Sequence, residues 1–209
     1  YFKNTILVVV AATMGNVMSS SITAFGFARI RFPGRDFLFV ILISTMMLPY
    51  QVKIIPLFQM YKTIGWLNSL WPLIVPAFFA AASPFFVFLM RQFFLSIPEE
   101  LADAARIDGC GFVNIYLRIF LPLTKPAMVT VALFSFMDNW NDFFMPLIYI
   151  NSNQFKTLSL GLAGMTGQYV SDWHIIMAAS VITVLPCVII FLLAQRHFVE
   201  GIALSGIKG

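Results

Sequence analysis

Residues 100–123, ELADAARIDGCGFVNIYLRIFLPL, form a charged island in an otherwise apolar chain. Within a few turns stand Glu99, Glu100, Asp103, Arg106, Asp108 and Arg118. Just ahead, Ser96-Ile97-Pro98-Glu99 has the S-x-x-E form of a capping box, with a proline where a first helical turn tolerates one. Alanine-rich sequence then continues to Gly109, a natural helix stop. The pattern predicts one short helix over 97–108, with the acidic Glu99, Glu100 and Asp103 early, where the helix dipole favours them. Ala102, Ala105 and Gly109 recur at i, i+3 and i+7 and predict a smooth strip that another surface can approach closely. Phe112, Ile115, Tyr116, Ile119 and Phe120 predict a second helix with one apolar face, ended by Leu121-Pro122. Connectors that merely join two elements are short and polar; a stretch of roughly thirty residues with caps and two distinct faces favours a docking element instead.

Around this island the chain is 60% hydrophobic and 11% charged, with a mean hydropathy of +0.88. Soluble domains carry roughly 25% charged and 45–50% apolar residues. A fold of this size has too little interior for the excess, so lipid is the solvent for much of its surface. A helix crosses a bilayer with about 20 apolar residues, and five stretches qualify, at 5–27, 37–57, 70–90, 127–150 and 175–194. The second is interrupted at Pro49 and Lys53, and Pro76, Pro84, Pro146 and Pro186 predict kinks that neighbouring helices compensate.

Positive charge orients these spans. Arg29, Arg31 and Arg35 separate the first two; Arg91, Arg106, Arg118 and Lys125 separate the third and fourth; Arg196 and Lys208 follow the fifth. The other side receives only Lys3, Lys53, Lys62 and Lys156. The arginine side, with loop 94–124 and a C-terminal tail at 198–209, is therefore expected in the cytoplasm, and 1–209 is expected to form a single transmembrane domain. On the far side, YQVKIIPLFQMYKTIGW (50–66) sets Ile54, Phe58 and Tyr61 at helical spacing. It reads either as an amphipathic interfacial helix or as a loop with aromatic anchors. Residues 151–173 read as an extended outer loop. The chain starts at Tyr1 without a secretory signal pattern, which predicts a missing N-terminal portion. Cys110 and Cys187 suggest no disulfide framework and read as small apolar fillers.

The composition argues against chemistry within the chain. There is no phosphate-binding G-x-x-x-x-G-K-S/T, so any ATP hydrolysis falls to another chain. His174 and His197 lack metal-ligand spacing, and no nucleophile–base constellation is present. The net charge of +4 reads through topology rather than as a nucleic-acid signal. FMDNWNDFF (136–144) nevertheless places Asp138, Asn139, Asn141 and Asp142 in the fourth span. Asp138 and Asp142 are expected about 16 and 22 Å along it, on one face. Ionisable groups at such depth mark a watery pathway or a bundle interior. Two readings stand: a translocation lining with Trp140 as a sugar-stacking ring, or a hydrogen-bonded packing patch. For Ser19, Ser20, Ser21 and Thr23 helix packing is favoured over a cavity lining.

The spacing of the charged island resembles the signature loop of binding-protein-dependent ABC importer permeases, E-A-A, three residues, G, nine residues, I-x-L-P. Here it reads Asp103-Ala104-Ala105, Gly109, then Ile119-Phe120-Leu121-Pro122, with aspartate in place of the usual glutamate. FARIRFPGRDFLF, MMLPYQVKIIPLF, RQFFLSIPEELADAARIDG, NWNDFFMPLIYI and the closing QRHFVEGIALSGIKG extend the likeness along the chain. They resemble the carbohydrate-uptake branch, most of all its MalG-type subunit.

The resemblance implies an all-α permease of six spans, the first of which is missing here. It implies a bacterial or archaeal cytoplasmic membrane, a second, MalF-like permease, two ABC ATPases and an extracytoplasmic solute-binding protein. ATP and Mg would sit on the ATPases, with no cofactor on this chain and no nucleic-acid partner. Glu99, Glu100, Ala102, Asp103, Ala104, Ala105, Arg106, Asp108, Gly109, Ile119, Leu121 and Pro122 would form the coupling element. A non-sugar solute such as an amino acid, peptide or polyamine is the nearer alternative. An ion-coupled secondary transporter is the farther one, and it would need paired inverted repeats around a midplane site.

Overall fold

The computed structural model describes residues 1–79, 83–165 and 173–205, the side chains of 193–205 excepted. Among these residues every regular element is helical. In lipid each backbone N–H and C=O must find a partner inside the protein, and a helix meets that demand within one segment.

The first predicted span is one unbroken helix, α1 (Phe2–Arg29). It is the central post of the molecule. Its small residues Ala12, Gly15, Ser20, Ser21, Ala24 and Ala28 are buried, and they let other backbones come close. A Cβ added at Gly15 would lie 2.8 Å from the Phe78 ring and 3.0 Å from the Ala77 carbonyl carbon. The opposite face carries Val10, Met14, Met18 and Ile22, all exposed.

The second predicted span is broken where its proline stands. Helix α2 (Arg35–Ser44) tightens into a 3₁₀ turn at Thr45–Met47, then bends by 99° into α3 (Tyr50–Thr63). Pro49 excludes helical backbone from the residue before it, and Leu48 is extended at φ −80°, ψ 111°. The stretch 50–66 is thus helical over most of its length rather than a loop. In the third span, α4 (Trp71–Ile74) and a 3₁₀ turn at Val75–Phe78 give way to extended backbone at Phe79. Helix α5 (Pro84–Ser96) restarts on Pro84.

The charged island comprises α6 (Glu100–Ile107), α7 (Phe112–Ile115), a π turn at Tyr116–Phe120 and α8 (Leu121–Leu123). The run over Phe112–Leu123 meets α9 (Lys125–Asn141) at 75°. Beyond α9 come α10 (Phe144–Tyr149), α11 (Leu158–Ala163) and α12 (Trp173–Ser205). Helix α11 lies where an extended outer loop was expected. The expected tail at 198–209 continues α12 through Ser205, and 206–209 lie outside the described residues. The five apolar stretches differ in continuity, with breaks at the expected interruption at Pro49 and ahead of Pro84. Among the described residues only α1 and Trp173–Leu192 of α12 are single helices long and apolar enough to cross a membrane. Two bent pairs qualify only when each is joined, and α5 is a shorter apolar helix.

Helix α1 packs against α5, α9 and the broken segment 71–78. One buried cluster gathers at the arginine-bearing end around Phe25, Phe94, Phe120 and Val131. Another gathers at the opposite end around Tyr61, Tyr149 and Leu160. Between them Asn16, 5% exposed, donates to Ser135 Oγ at 2.8 Å and accepts from Ser83 Oγ at 3.1 Å, tying α1 to α9 and to the start of α5.

Gly15→Leu is predicted to lower the thermal midpoint of the detergent-purified chain, since overpacking a tight contact costs about 1–3 kcal/mol. Gly26→Ala, where an added Cβ meets nothing within 4 Å, should not lower it.

Candidate functional site: the loop at the arginine-bearing end

The predicted capping box does not form. Pro98 pushes Ile97 out of helical space, to φ −77°, ψ 133°. Ser96 stays in the last turn of α5, its hydroxyl donating to the Phe93 carbonyl at 2.8 Å. Helix α6 therefore starts at Glu100, with Glu99 as an N-cap whose side chain makes no capping bond. Its other end follows the sequence. Gly109 sits at φ +81°, its amide donates to Arg106 at 3.0 Å, and that of Cys110 donates to Ala105 at 2.9 Å. This bond pair, which needs a left-handed residue between, is the Schellman ending.

The small-residue strip turns the opposite way from the expectation of an outward docking surface. Ala102 and Ala105 are 1% and 6% exposed, buried against the protein's own core with Phe94, Ile115 and Phe120. Only Gly109 of that strip is exposed. Smallness here lets α6 lie close on the helix ends beneath it. The free face carries Glu100, Leu101, Asp103, Ala104, Arg106, Ile107 and Asp108, and Ile107 is 87% exposed. No large apolar side chain among the described residues is more exposed than Ile107, and Leu101 on the same helix is also bare.

The second helix behaves largely as its pattern predicts. Ile115 and Phe120 are buried, and Tyr116 and Ile119 pack against them, whereas Phe112 is exposed. Leu121-Pro122 does not end it. Proline crowds the carbonyl four residues back, here that of Arg118. The chain meets this with the π turn at Tyr116–Phe120, and helix continues to Leu123 before the bend at Thr124.

Arg29, at the last turn of α1, fixes this loop, a role that charge patterning, which reads it only as a topology signal, does not reveal. Its Nη2 donates to the carbonyls of Phe94 and Ile97, at the open end of α5. Its guanidinium carbon lies 4.7 Å from the centroid of the Phe120 ring. Arg91 makes a parallel joint: Nε donates to the Phe27 carbonyl at 3.4 Å, the guanidinium stacks 4.1 Å over Phe39, and Asp36 lies 3.8 Å away. At the surface Arg31 pairs with Glu99 at 3.5 Å, and Arg106 with Asp103 one turn before it. A cavity of about 730 Å³ opens between the end of α1 and α6, lined by Arg29, Arg31 and Arg106 against Glu99, Glu100 and Asp103. Its charges balance, so it offers no net attraction for a free anion.

The polar run at 138–142 is dispersed rather than assembled. Helix α9 ends at Asn141, and Asp142 is extended at φ −67°, ψ 117°, so Asp138 and Asp142 do not share a helical face as expected. Asp142 Oδ1 accepts from the amides of Phe144 at 3.0 Å and Met145 at 3.1 Å, capping α10. Trp140 is no free stacking ring. It is 4% exposed, its Nε1 donates to the Thr183 carbonyl at 3.0 Å, and its ring stacks on Phe136. Asn139 and Asn141 donate back to the carbonyls of Ser135 and Met137. Asp138 alone of the five keeps an exposed carboxylate with no hydrogen bond or ion pair among the described residues. It stands one turn from Phe134, whose ring meets that of Phe85 at 6.2 Å. The serines pack as favoured: Ser19 donates to the Ala77 carbonyl at 2.9 Å, and Ser21 shares a 2.9 Å bond with the Tyr116 hydroxyl. No group of acidic, histidine or cysteine side chains among the described residues could hold a metal ion.

A bundle of apolar helices broken within their spans, with a firmly seated loop at one end, is the class of fold that a membrane-embedded protein builds. Residues 16–203 match the family described as binding-protein-dependent transport system inner membrane component, and the chain belongs to it, as an ABC transporter permease. Over 209 residues it is 35% identical to the arabinooligosaccharides transport system permease protein AraQ of Halalkalibacterium halodurans, covering 100% of this chain and 74% of that one. Over 201 residues it is 35% identical to the sn-glycerol-3-phosphate transport system permease protein UgpE of Salmonella typhi, covering 95% and 70%. A solved bacterial ABC transporter involved in the import of the acidic polysaccharide alginate shares the fold, with a TM-score of 0.84 at 24% identity over 94% of this chain and 74% of that one.

Ser96→Ala is predicted to leave the thermal midpoint unchanged, because the hydroxyl caps nothing. Gly109→Ala should lower it, since a Cβ in left-handed backbone costs roughly 1–2 kcal/mol.

Proposed function

We propose that this permease imports a sugar or related polyol across the cytoplasmic membrane by alternating access. In this reading 1–209 is one transmembrane domain, with loop 94–124 and the C-terminus on the cytoplasmic side, as the positive-inside rule requires. The chain pairs with a second permease and receives solute from an extracytoplasmic binding protein. Two ATPase subunits, which hold the ATP and Mg, dock on the loop and drive the exchange between inward- and outward-facing states. Their differential contacts with the two states supply the shift.

The observation that carries the docking assignment is the two-sided build of α6. One face is sealed into the permease by Ala102 and Ala105; the other offers Leu101, Ala104 and a nearly bare Ile107 among charges. Ile107→Asp should abolish co-purification of the ATPases while leaving the permease's thermal midpoint within a degree or two. Ala105→Glu should instead lower that midpoint sharply, because it forces a charge into the buried seam. If Ile107→Asp retains full ATPase binding, the outward face is not the docking surface.

Support for a sugar comes from relatives named for arabinooligosaccharides, but relatives named for sn-glycerol-3-phosphate share the identity level. Asp138 favours the neutral class. A carboxylate on an apolar span belongs beside water or a partner's polar group, and there it accepts hydrogen bonds from sugar hydroxyls and repels phosphates and uronates. With the solute identified by screening binding-protein-stimulated ATPase activity, Asp138→Asn should raise the half-saturating concentration for uptake of a neutral sugar about ten-fold. An unchanged value would remove Asp138 from the pathway.

A further inference from the structure

We infer that Arg29 is a positioning residue that makes α1 and the coupling loop one moving body. The inference rests on the loop being the ATPase-docking element, and it adds the joint by which loop motion reaches the bundle.

Two observations meet at this side chain, and a third one turn before it. It closes the end of α5 and the entry of the loop together, since Nη2 donates to the carbonyl of Phe94, inside the helix, and to that of Ile97, just past it. It also reaches the loop's exit, where its guanidinium covers Phe120. One turn earlier on α1, Phe25 packs its ring against Phe94, Tyr116 and Phe120, with centroids 5.7, 5.1 and 5.4 Å apart. The final turns of α1 therefore touch both ends of the loop, entry and exit.

The two kinds of contact do different mechanical work. Apolar burial is non-directional, and ring pairs hold orientation only weakly, at about 0.5–1.5 kcal/mol each. Nη2 donating to two carbonyls while the guanidinium lies over Phe120 fixes both distance and register; a lysine ammonium can meet the carbonyls but has no plane to lay over the ring. The Ile97 carbonyl lies just past the helix, where nothing in α5 can donate to it, and the Phe94 carbonyl, which accepts the Ile97 amide at 3.3 Å, takes Arg29 on its second lone pair. The seat is made at a cost, because Arg29 Nε is buried without a hydrogen-bond partner among the described residues. A buried donor left unpaired in a folded protein calls for an explanation, and the fork at Nη2 supplies it. A push on the free face of α6 then moves α1 with the loop, and α1 carries Asn16 and Ser19, which hold α9 and the broken segment at Ala77.

The test uses the permease with Cys110 and Cys187 replaced by alanine and spin labels at Met18→Cys on α1 and Val113→Cys on the loop, both exposed positions. The purified chain should give one narrow inter-label distance, unchanged when the assembled transporter is cycled with ATP. Arg29→Met should broaden it, and Arg29→Lys should fall between. In proteoliposomes containing the second permease, ATPases and binding protein, Arg29→Met should lower solute moved per ATP at least ten-fold while the ATPases still co-purify. A narrow, unchanged distance in Arg29→Met would overturn the inference, as would uptake and ATPase activity falling in equal proportion. Absence of any ATP-driven uptake with the wild-type chain would instead count against the transport reading, and the distance measurement on the purified chain decides the joint separately.

Discussion

One guanidinium seated on two backbone carbonyls is the constraint around which the arginine-bearing end is built. Burying an arginine in apolar surroundings is costly unless its donors are used. Leaving the last carbonyls of a helix unpaired in the same surroundings is costly too. Arg29 offsets each problem with the other at Ile97, and at Phe94 it adds a second bond to a carbonyl that already accepts the Ile97 amide. Once α1 is fixed to the end of α5, Phe120 has a cation to lie under, Tyr116 has Ser21 to bond, and Ala102 and Ala105 have a floor to rest on. The free face of α6 follows from that seating.

The same exchange recurs along α1 toward the opposite end. Breaking helices in a membrane releases backbone groups that lipid cannot satisfy, and small polar side chains of the central helix take them up. Ser19 serves the Ala77 carbonyl, Thr5 Oγ1 accepts from Leu158 at 2.7 Å, and Asn4 donates to the carbonyls of Gln154 and Lys156. Where α1 does not reach, local devices substitute. Asp142 caps α10, and Asn68, in left-handed backbone at φ +58°, accepts from Asn151 and Ser152. Interhelical bonds of this kind average about 0.6 kcal/mol in membranes. None dominates alone, but together they fix which breaks the bundle tolerates.

These points separate what the residues disclosed from what they withheld. Composition fixed the solvent, Gly109 fixed the end of α6, and the periodicity of 112–120 gave the buried face of the second helix. Each depends on a local preference or on a pattern repeated many times. The capping box failed because Pro98 governs Ile97 more strongly than Ser96 can reach forward. The alanine strip was correctly seen as a close-contact surface but assigned to the wrong neighbour, since periodicity identifies a face and not what covers it. Trp140 and Asp142 were grouped with Asp138 by proximity in sequence, and the end of α9 at Asn141 separated them. Arg29 and Asn16 were invisible as anchors because their partners lie on other helices. By composition the first apolar stretch ends at residue 27, and only the continuation of α1 to Arg29 brings this arginine within the helix.

The central claim is that the loop has a sealed face toward the permease and a free face toward its ATPases. Single-cysteine labelling with a membrane-impermeant maleimide tests it most directly, on inside-out vesicles, with the native cysteines replaced by alanine. Ile107→Cys should label rapidly in the permease alone and become protected when the ATPases are bound, whereas Ala102→Cys should resist labelling in both. Rapid labelling at Ala102 with protection by the ATPases, and no protection at Ile107, would contradict the account.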